Sequence, residues 1–220
     1  GPQDVIACDS TSITLFKLLA AARALRPDRR ILLTDTENFP TDTYIAESVA
    51  HISPEPLELR QVEADEIIKA IDDETAVVSL THVNYRSGAV YDMAAVTKAA
   101  HASGALVLWD LSHSAGALPI DLSACDADMA VGCGYKYLNG GPGAPAWAFV
   151  ASRLHTDLAQ PITGWMGHRA PFEFSGRYEP AVGMQQMLTG TPPVLALSSL
   201  DASLDDVVDA GMDRLRAKSV

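Results

Sequence analysis

Short apolar runs alternate with segments of helical period along most of the chain, and no other feature of the sequence constrains the fold as strongly. Val5-Ile6-Ala7-Cys8 reads as a buried strand, and Thr14 to Leu25 sets Leu15, Leu18, Leu19, Ala22 and Leu25 on one helical face. Ile31 to Thr34 is a second strand, Thr43 to Ala50 a helix, and Glu63 to Ile71 an amphipathic helix with Ile67, Ile68 and Ile71 inward. Further strands are expected over Thr75–Leu80, Ala105–Trp109, Met129–Val131 and Ala146–Val150, with a helix over Met93–Ala102 ending at Gly104 as a C-cap. This alternation implies an α/β fold of three layers, with a mostly parallel sheet covered by helices on both faces. Ligands of such sheets bind beyond the carboxyl ends of the strands.

Composition narrows the partners. Of 220 residues 48% are hydrophobic and 20% charged, the balance of a soluble globular protein. The net charge is -12, and both halves are acidic: 9 basic against 17 acidic residues over 1–110, and 7 against 11 over 111–220. No basic stripe is available to follow a phosphate backbone, so nucleic acid is not an expected partner. No apolar stretch is long enough to span a bilayer, which sets membranes aside as well. Cys8, Cys125 and Cys133 are widely spaced and form no CxxC pair, as in a reducing, cytoplasmic setting. His82, His101 and His155 lack ligand spacing, so no metal is expected.

Chemistry concentrates after the strands. Of the five lysines, Lys17, Lys69, Lys98 and Lys218 fall in helix-period segments, where a solvated face accounts for them. Lys136 instead follows a strand, inside Gly134-Tyr135-Lys136-Tyr137-Leu138-Asn139-Gly140-Gly141-Pro142-Gly143. An amine partly desolvated in an apolar, glycine-rich turn is suited to Schiff-base chemistry, whereas a lone turn lysine would more often be a surface group. Asp110 ends a strand 26 residues earlier and His113 follows it. A carboxylate in that place can pair with a pyridinium nitrogen, although strand-end Asp also serves as a helix cap. Asp9-Ser10-Thr11-Ser12 opens the first helix, where hydroxyls and free N–H groups form a phosphate cup. Phe39-Pro40-Thr41-Asp42 follows the second strand, with an aromatic face for a flat ring and a carboxyl beside it; Thr81 adds a hydroxyl at the end of the third. Cup, ring face, ring-nitrogen partner and lysine together describe a pyridoxal 5'-phosphate site.

These residues carry a resemblance. Asp9-Ser10-Thr11-Ser12, Phe39-Pro40-Thr41-Asp42, Asp110-Leu111-Ser112-His113 and the Lys136 loop, extended by Gly164-Trp165-Met166-Gly167-His168 and Gly190-Thr191-Pro192-Pro193, resemble the large domain of the kynureninase family. That family lies within the fold-type I, class V aminotransferase-like group of pyridoxal phosphate enzymes. The resemblance implies that Lys136 binds the cofactor and shuttles protons, that Thr11, Ser12 and Tyr135 contact its phosphate, and that Tyr135 also takes part in proton transfer. It further implies that Phe39 stacks on the ring, Asp110 pairs with its nitrogen, and Asp42, Thr81 and His113 complete the shell. Trp165 and Thr191 would reach the phosphate of a neighbouring subunit's cofactor, which implies a homodimer with shared sites. His168 would face the substrate or bond within its own loop. The implied reaction is hydrolysis of L-kynurenine, or 3-hydroxykynurenine, to anthranilate, or 3-hydroxyanthranilate, and L-alanine, in tryptophan degradation or NAD precursor synthesis.

Two other readings remain open at this point. A cysteine desulfurase or selenocysteine lyase would need an activated cysteine, and related desulfurases usually carry histidine immediately before the lysine, where this chain has Tyr135. A chain that binds the cofactor without catalysis is the other. Residues 198–217 read as one amphipathic helix running to the terminus, as in a chain cut short. Residues 1–200 are accordingly expected to form the cofactor-binding large domain, and 201–220 to lead into a further small domain. In the family that small domain supplies the arginine that clamps the substrate carboxylate; Arg153, Arg169 and Arg177 match no such motif.

Overall fold

A computed structural model describes residues 1–220. The elements in chain order are β1 (Val5–Ala7), α1 (Thr11–Ala24), β2 (Ile31–Asp35), α2 (Pro40–Ile52), β3 (Glu58–Val62), α3 (Ile67–Ala70), β4 (Thr75–Thr81), α4 (Met93–Ala102), β5 (Leu106–Asp110), β6 (Met129–Cys133), β7 (Ala146–Val150), α5 (Val194–Ala210) and α6 (Met212–Ser219). Seven strands form one sheet in the order β1-β7-β6-β5-β4-β2-β3. Pairings among β6, β5, β4, β2 and β3 are parallel, and β7 runs antiparallel to both β6 and β1. The carboxyl ends of β1, β2, β4, β5 and β6 therefore lie along the same edge of the sheet.

Strand periodicity sends alternate residues to two cores. Leu32, Val77, Leu106, Leu108, Met129 and Val131 pack beneath α1 and α2, whose inward faces include Leu15, Leu18, Leu19, Ala46 and Val49. Leu33, Val78, Leu80, Val107, Trp109 and Ala130 face α3 and α4 with Ile67, Met93, Val96 and Ala100. The sheet is covered on both sides, as a parallel sheet requires. No helix is long and apolar enough to cross a membrane.

Three expectations need correction. The helix expected over Glu63–Ile71 is only a 3-10 turn at Ala64–Glu66 followed by the four-residue α3, and Ile68 is exposed. The preceding Glu58–Val62, not foreseen as a strand, is β3 at the sheet edge; its polar sequence reflects partial burial, and apolar patterning alone does not reveal it. The terminal helix is two helices, because Gly211 at φ 74° takes a backbone conformation outside the helical region. α5 starts at Val194 and clamps the glycine-rich loop after β6: Ser199 Oγ donates to the Gly140 carbonyl at 3.0 Å and Ser203 Oγ to that of Leu138 at 2.8 Å.

β6 delivers this loop, and its geometry depends on a close approach. Gly132 pairs with Trp147 of β7, and a Cβ at position 132 would lie 2.5 Å from the indole ring. Gly132→Ala is therefore expected to displace the ring and destabilise the fold by about 1–3 kcal/mol. A lower urea midpoint at unchanged slope would report it, and an unchanged midpoint would refute the steric account.

Candidate active site

Register fixes where the polar groups go. Thr81, the last residue of β4, stands opposite Asp110, the last of β5, and both are buried on the α1 side of the sheet. The Asp110 carboxylate accepts from the Ser112 N–H at 2.8 Å, which holds it at the strand end. Beyond β6, Lys136 reaches back so that its Nζ lies 2.8 Å from His113 Nε2. The same amine sits 5.5 Å from the centre of the Phe39 ring and 5.9 Å from that of Tyr135. Phe39 and His113 are tilted neighbours with ring centroids 6.0 Å apart. Lys136, His113, Phe39, Asp110, Asp42 and Thr81 are thus brought together as the sequence implied.

Phe39 is aimed by a residue not foreseen as functional. Asn38 Oδ1 accepts from the Phe39 N–H at 2.8 Å and lies 2.5 Å from the Thr81 hydroxyl, while its Nδ2 donates to Thr34 Oγ1 at 2.8 Å. Pro40 then opens α2, where its missing N–H costs nothing. Tyr85 braces the far side of Phe39 edge-on at 5.3 Å. An asparagine between a strand and a Phe-Pro helix start was the available signal for Asn38; Tyr85 left none.

Two carboxyls share this pocket of charge. Burial, then the charge of Asp110, pushes the Asp42 carboxyl well above the usual carboxylate range. Burial and the nearby Lys136 cation hold His113 below its ordinary value, as a neutral imidazole. Burial raises the Tyr135 phenol, which is therefore a proton donor at neutral pH. The His113 Nδ1 and Ser112 Oγ atoms are buried beside Asp110 with no protein partner. Unpaired polar atoms in such a place are characteristic of a site built for a ligand.

The cup is present at the start of α1. Ser10 is the N-cap but its side chain makes no capping bond, leaving the first N–H groups and the Thr11 and Ser12 hydroxyls free. Trp165 and Thr191 are not part of the Lys136 cluster: both are exposed, and Trp165 packs against Phe172 at 5.7 Å and stacks with Phe174 at 6.4 Å. His168 spends both ring nitrogens on its own loop, accepting from the Ala170 N–H at 2.9 Å and lying 3.1 Å from the Arg177 carbonyl. Arg153 is engaged by Asp126 and Asp128, and Arg169 by Glu179.

Lys17 overturns its expectation of a solvated face. It is fully buried, with Nζ at 2.6 Å from Asp9 Oδ2, 2.8 Å from the Met187 carbonyl and 2.6 Å from Thr189 Oγ1.

Known proteins are similar to this chain in sequence and in fold. Kynureninase of Pseudomonas fluorescens is 47% identical over 99% of this chain and 53% of its own length, and that of Deinococcus radiodurans is 49% identical over 100% and 53%. The chain therefore spans about half the length of these curated relatives. Among solved structures, the cysteine desulfurase of Thermococcus onnurineus NA1 superposes with a TM-score of 0.81 at 18% identity, covering 96% of this chain and 54% of that one. The cystine C-S lyase C-DES, in complex with cysteine persulfide, gives 0.80 at 19% identity over 96% and 58%. At such identities these two structures establish the fold, a fold-type I large domain of α/β architecture. The family model described as Aminotransferase class-V matches residues 3–219, and the chain belongs to that family.

Proposed function

We propose that this chain is the pyridoxal 5'-phosphate-binding large domain of a kynureninase, hydrolysing L-kynurenine or its 3-hydroxy form to anthranilate or 3-hydroxyanthranilate and L-alanine. The observation that carries the reading is the meeting of Lys136, Asp110, His113 and Phe39 at one sheet edge, in a chain 47–49% identical to kynureninases. The donor set suits the cofactor: an amine for a Schiff base, a carboxylate for a ring nitrogen, an aromatic face, and buried unpaired atoms at His113 and Ser112. Once bound, the cofactor supplies the electron sink that carbon–carbon cleavage requires.

The protein's own residues do the rest. Neutral His113 can accept a hydrogen bond from the Lys136 amine and keep it aimed over Phe39. Asp110, held at the end of β5 by the Ser112 N–H, would face the ring nitrogen. Lys136 then moves protons at the substrate's reacting carbons, and the Tyr135 phenol holds a second proton within the same turn. Thr11 and Ser12 at the helix N-terminus would receive the phosphate. Exposed Trp165 and Thr191 would serve the site of a second copy, in a cytoplasmic homodimer. The thiols argue against desulfurase chemistry: burial and Asp9 push Cys8 up to about 11, burial and Asp121 raise Cys125, and Cys133 is buried.

Three outcomes follow from this reading. The full chain mixed with pyridoxal phosphate should show the visible absorbance band of a lysine-bound cofactor, and Lys136→Ala should abolish it. On L-kynurenine the same substitution should lower anthranilate release at least about 10²-fold, followed by fluorescence of the product. A persistent band in the variant would remove Lys136 from its role. The third concerns stability. A carboxyl raised in the folded state costs nothing below its ordinary value of 3.8, and its cost grows as pH climbs toward the folded value. Cofactor-free Asp42→Asn should thus melt higher relative to wild type at pH 7 than at pH 4.5, while binding the cofactor more weakly. An equal difference in melting temperature at both pH values would contradict a protonated Asp42.

A further inference from the structure

The buried ammonium of Lys17 has no part in the chemistry above, yet it joins two segments far apart in the chain, Asp9 and Met187–Thr189. Taking a charged amine out of water is costly unless each of its three donors finds an acceptor. Here all three do: the Asp9 carboxylate, the Met187 carbonyl and the Thr189 hydroxyl. Asp9 adjoins the start of α1, and Met187 and Thr189 adjoin the Gly190-Thr191 segment.

Asp9 immediately precedes the N-cap of α1. Its φ of 49° is the left-handed region, which a non-glycine residue holds only when its surroundings fix it. Those surroundings are the Ala146 N–H, donating to the Asp9 carbonyl at 3.0 Å, and Lys17, bonded to its carboxylate. The direction in which Ser10, Thr11 and Ser12 present their N–H groups and hydroxyls follows from that pinned turn. On the other side, Met187 and Thr189 lead directly into Gly190-Thr191. The Thr189 carbonyl accepts from the Met166 N–H at 3.2 Å, and its hydroxyl donates to the Ile162 carbonyl at 3.0 Å. Gly164 and Gly167 press against the backbone of Thr189 and Leu188 so closely that a Cβ at either would collide with a carbonyl oxygen. Trp165, between these two glycines, is therefore oriented by the segment that Lys17 holds.

Resting on the cofactor reading above, we propose that Lys17 is a positioning residue for cofactor phosphate, one ammonium that sets both the cup at the start of α1 and the Trp165–Thr191 arm offered to a second copy. Its charge is spent on Asp9, so it acts through geometry and by neutralising a carboxylate that would otherwise stand unpaired beside a phosphate dianion. Two consequences distinguish this role from general support of the fold. Loss of Lys17 should weaken binding of a phosphorylated ligand and spare its unphosphorylated counterpart. Removing Asp9's charge as well should restore part of the loss.

The test is titration of the full chain with pyridoxal phosphate and, separately, with pyridoxal, followed by protein fluorescence. Lys17→Met is expected to weaken pyridoxal phosphate tenfold or more and pyridoxal less than twofold, and Asp9→Asn/Lys17→Met to recover several-fold of that loss. Thr189→Val keeps the buried charge pair and removes only the hydroxyl acceptor; it should produce a smaller loss of about threefold, again confined to the phosphorylated ligand. That variant carries the test if Lys17→Met does not fold. Equal weakening of both ligands, or no weakening of either, in the folded variants would overturn the proposal. A wild-type chain that binds pyridoxal phosphate no better than pyridoxal would overturn the phosphate-cup reading and this inference with it; wild-type discrimination lost by neither variant would overturn this inference alone.

Discussion

Strand register at one end of the sheet is the constraint from which the rest of the site follows. Parallel pairing places Thr81 opposite Asp110 and Asp110 opposite Val131, so side chains far apart in sequence face the same side at the same height. A one-residue slip of β5 would carry Asp110 to the α4 face and turn Trp109 toward the cup. Trp109 prevents this. It is fully buried on the α4 side, with its ring 6.0 Å from His82 and 6.3 Å from Tyr91. The largest apolar residue of the strand thereby fixes the orientation of the smallest charged one.

Charge at the site is arranged by the same burial. Two carboxyls at one strand edge would repel each other and any electron-rich ring if both were ionised. Burial, then the charge of Asp110, raises the Asp42 carboxyl well above the ordinary range, beside the Thr81 hydroxyl. The Asp110 side chain is held by a backbone N–H, a donor that cannot rotate away. His113 completes the set: kept neutral, it approaches Lys136 as an acceptor and adds no positive charge. Burial and neighbours thus shift two titratable groups of one pocket in opposite directions, Asp42 upward and His113 downward.

Much of this was legible in the sequence, and the exceptions share a cause. The helix Met93–Ala102 and the strand Ala146–Val150 have the expected bounds, because each is strongly periodic or wholly apolar. The candidate site residues Lys136, Asp110, His113, Phe39 and Thr81 were readable because each ends a buried strand or lies within a few residues after one, and Asp42 because it sits in the first turn of the helix that follows β2. What escaped depends on partners distant in sequence. β3 is a strand because β2 offers it hydrogen bonds, and its own Glu58-Leu59-Arg60-Gln61-Val62 carries little preference. Ile67 alone of the expected inward isoleucines is fully buried, because α3 ends after one turn. Asn38 acquires its role only when Thr34 and Thr81 are brought to either side of it.

Lys17 is the sharpest of these cases. Its burial depends on acceptors 170 and 172 residues further along the chain, which no local pattern announces. A buried ion pair is seldom the cheapest way to hold a fold together, since a well-packed apolar side chain of similar volume often does as well without the desolvation cost. An apolar side chain, however, has no preferred direction and would tolerate small shifts of the segments around it. An ammonium with three short hydrogen bonds tolerates few, because each acceptor must keep its distance and its angle. The places in this chain where direction would matter under the proposed reading are the helix start offered to a phosphate and the glycine-bounded arm that carries Trp165. Both are tied to the same nitrogen atom, so any displacement of one is felt by the other.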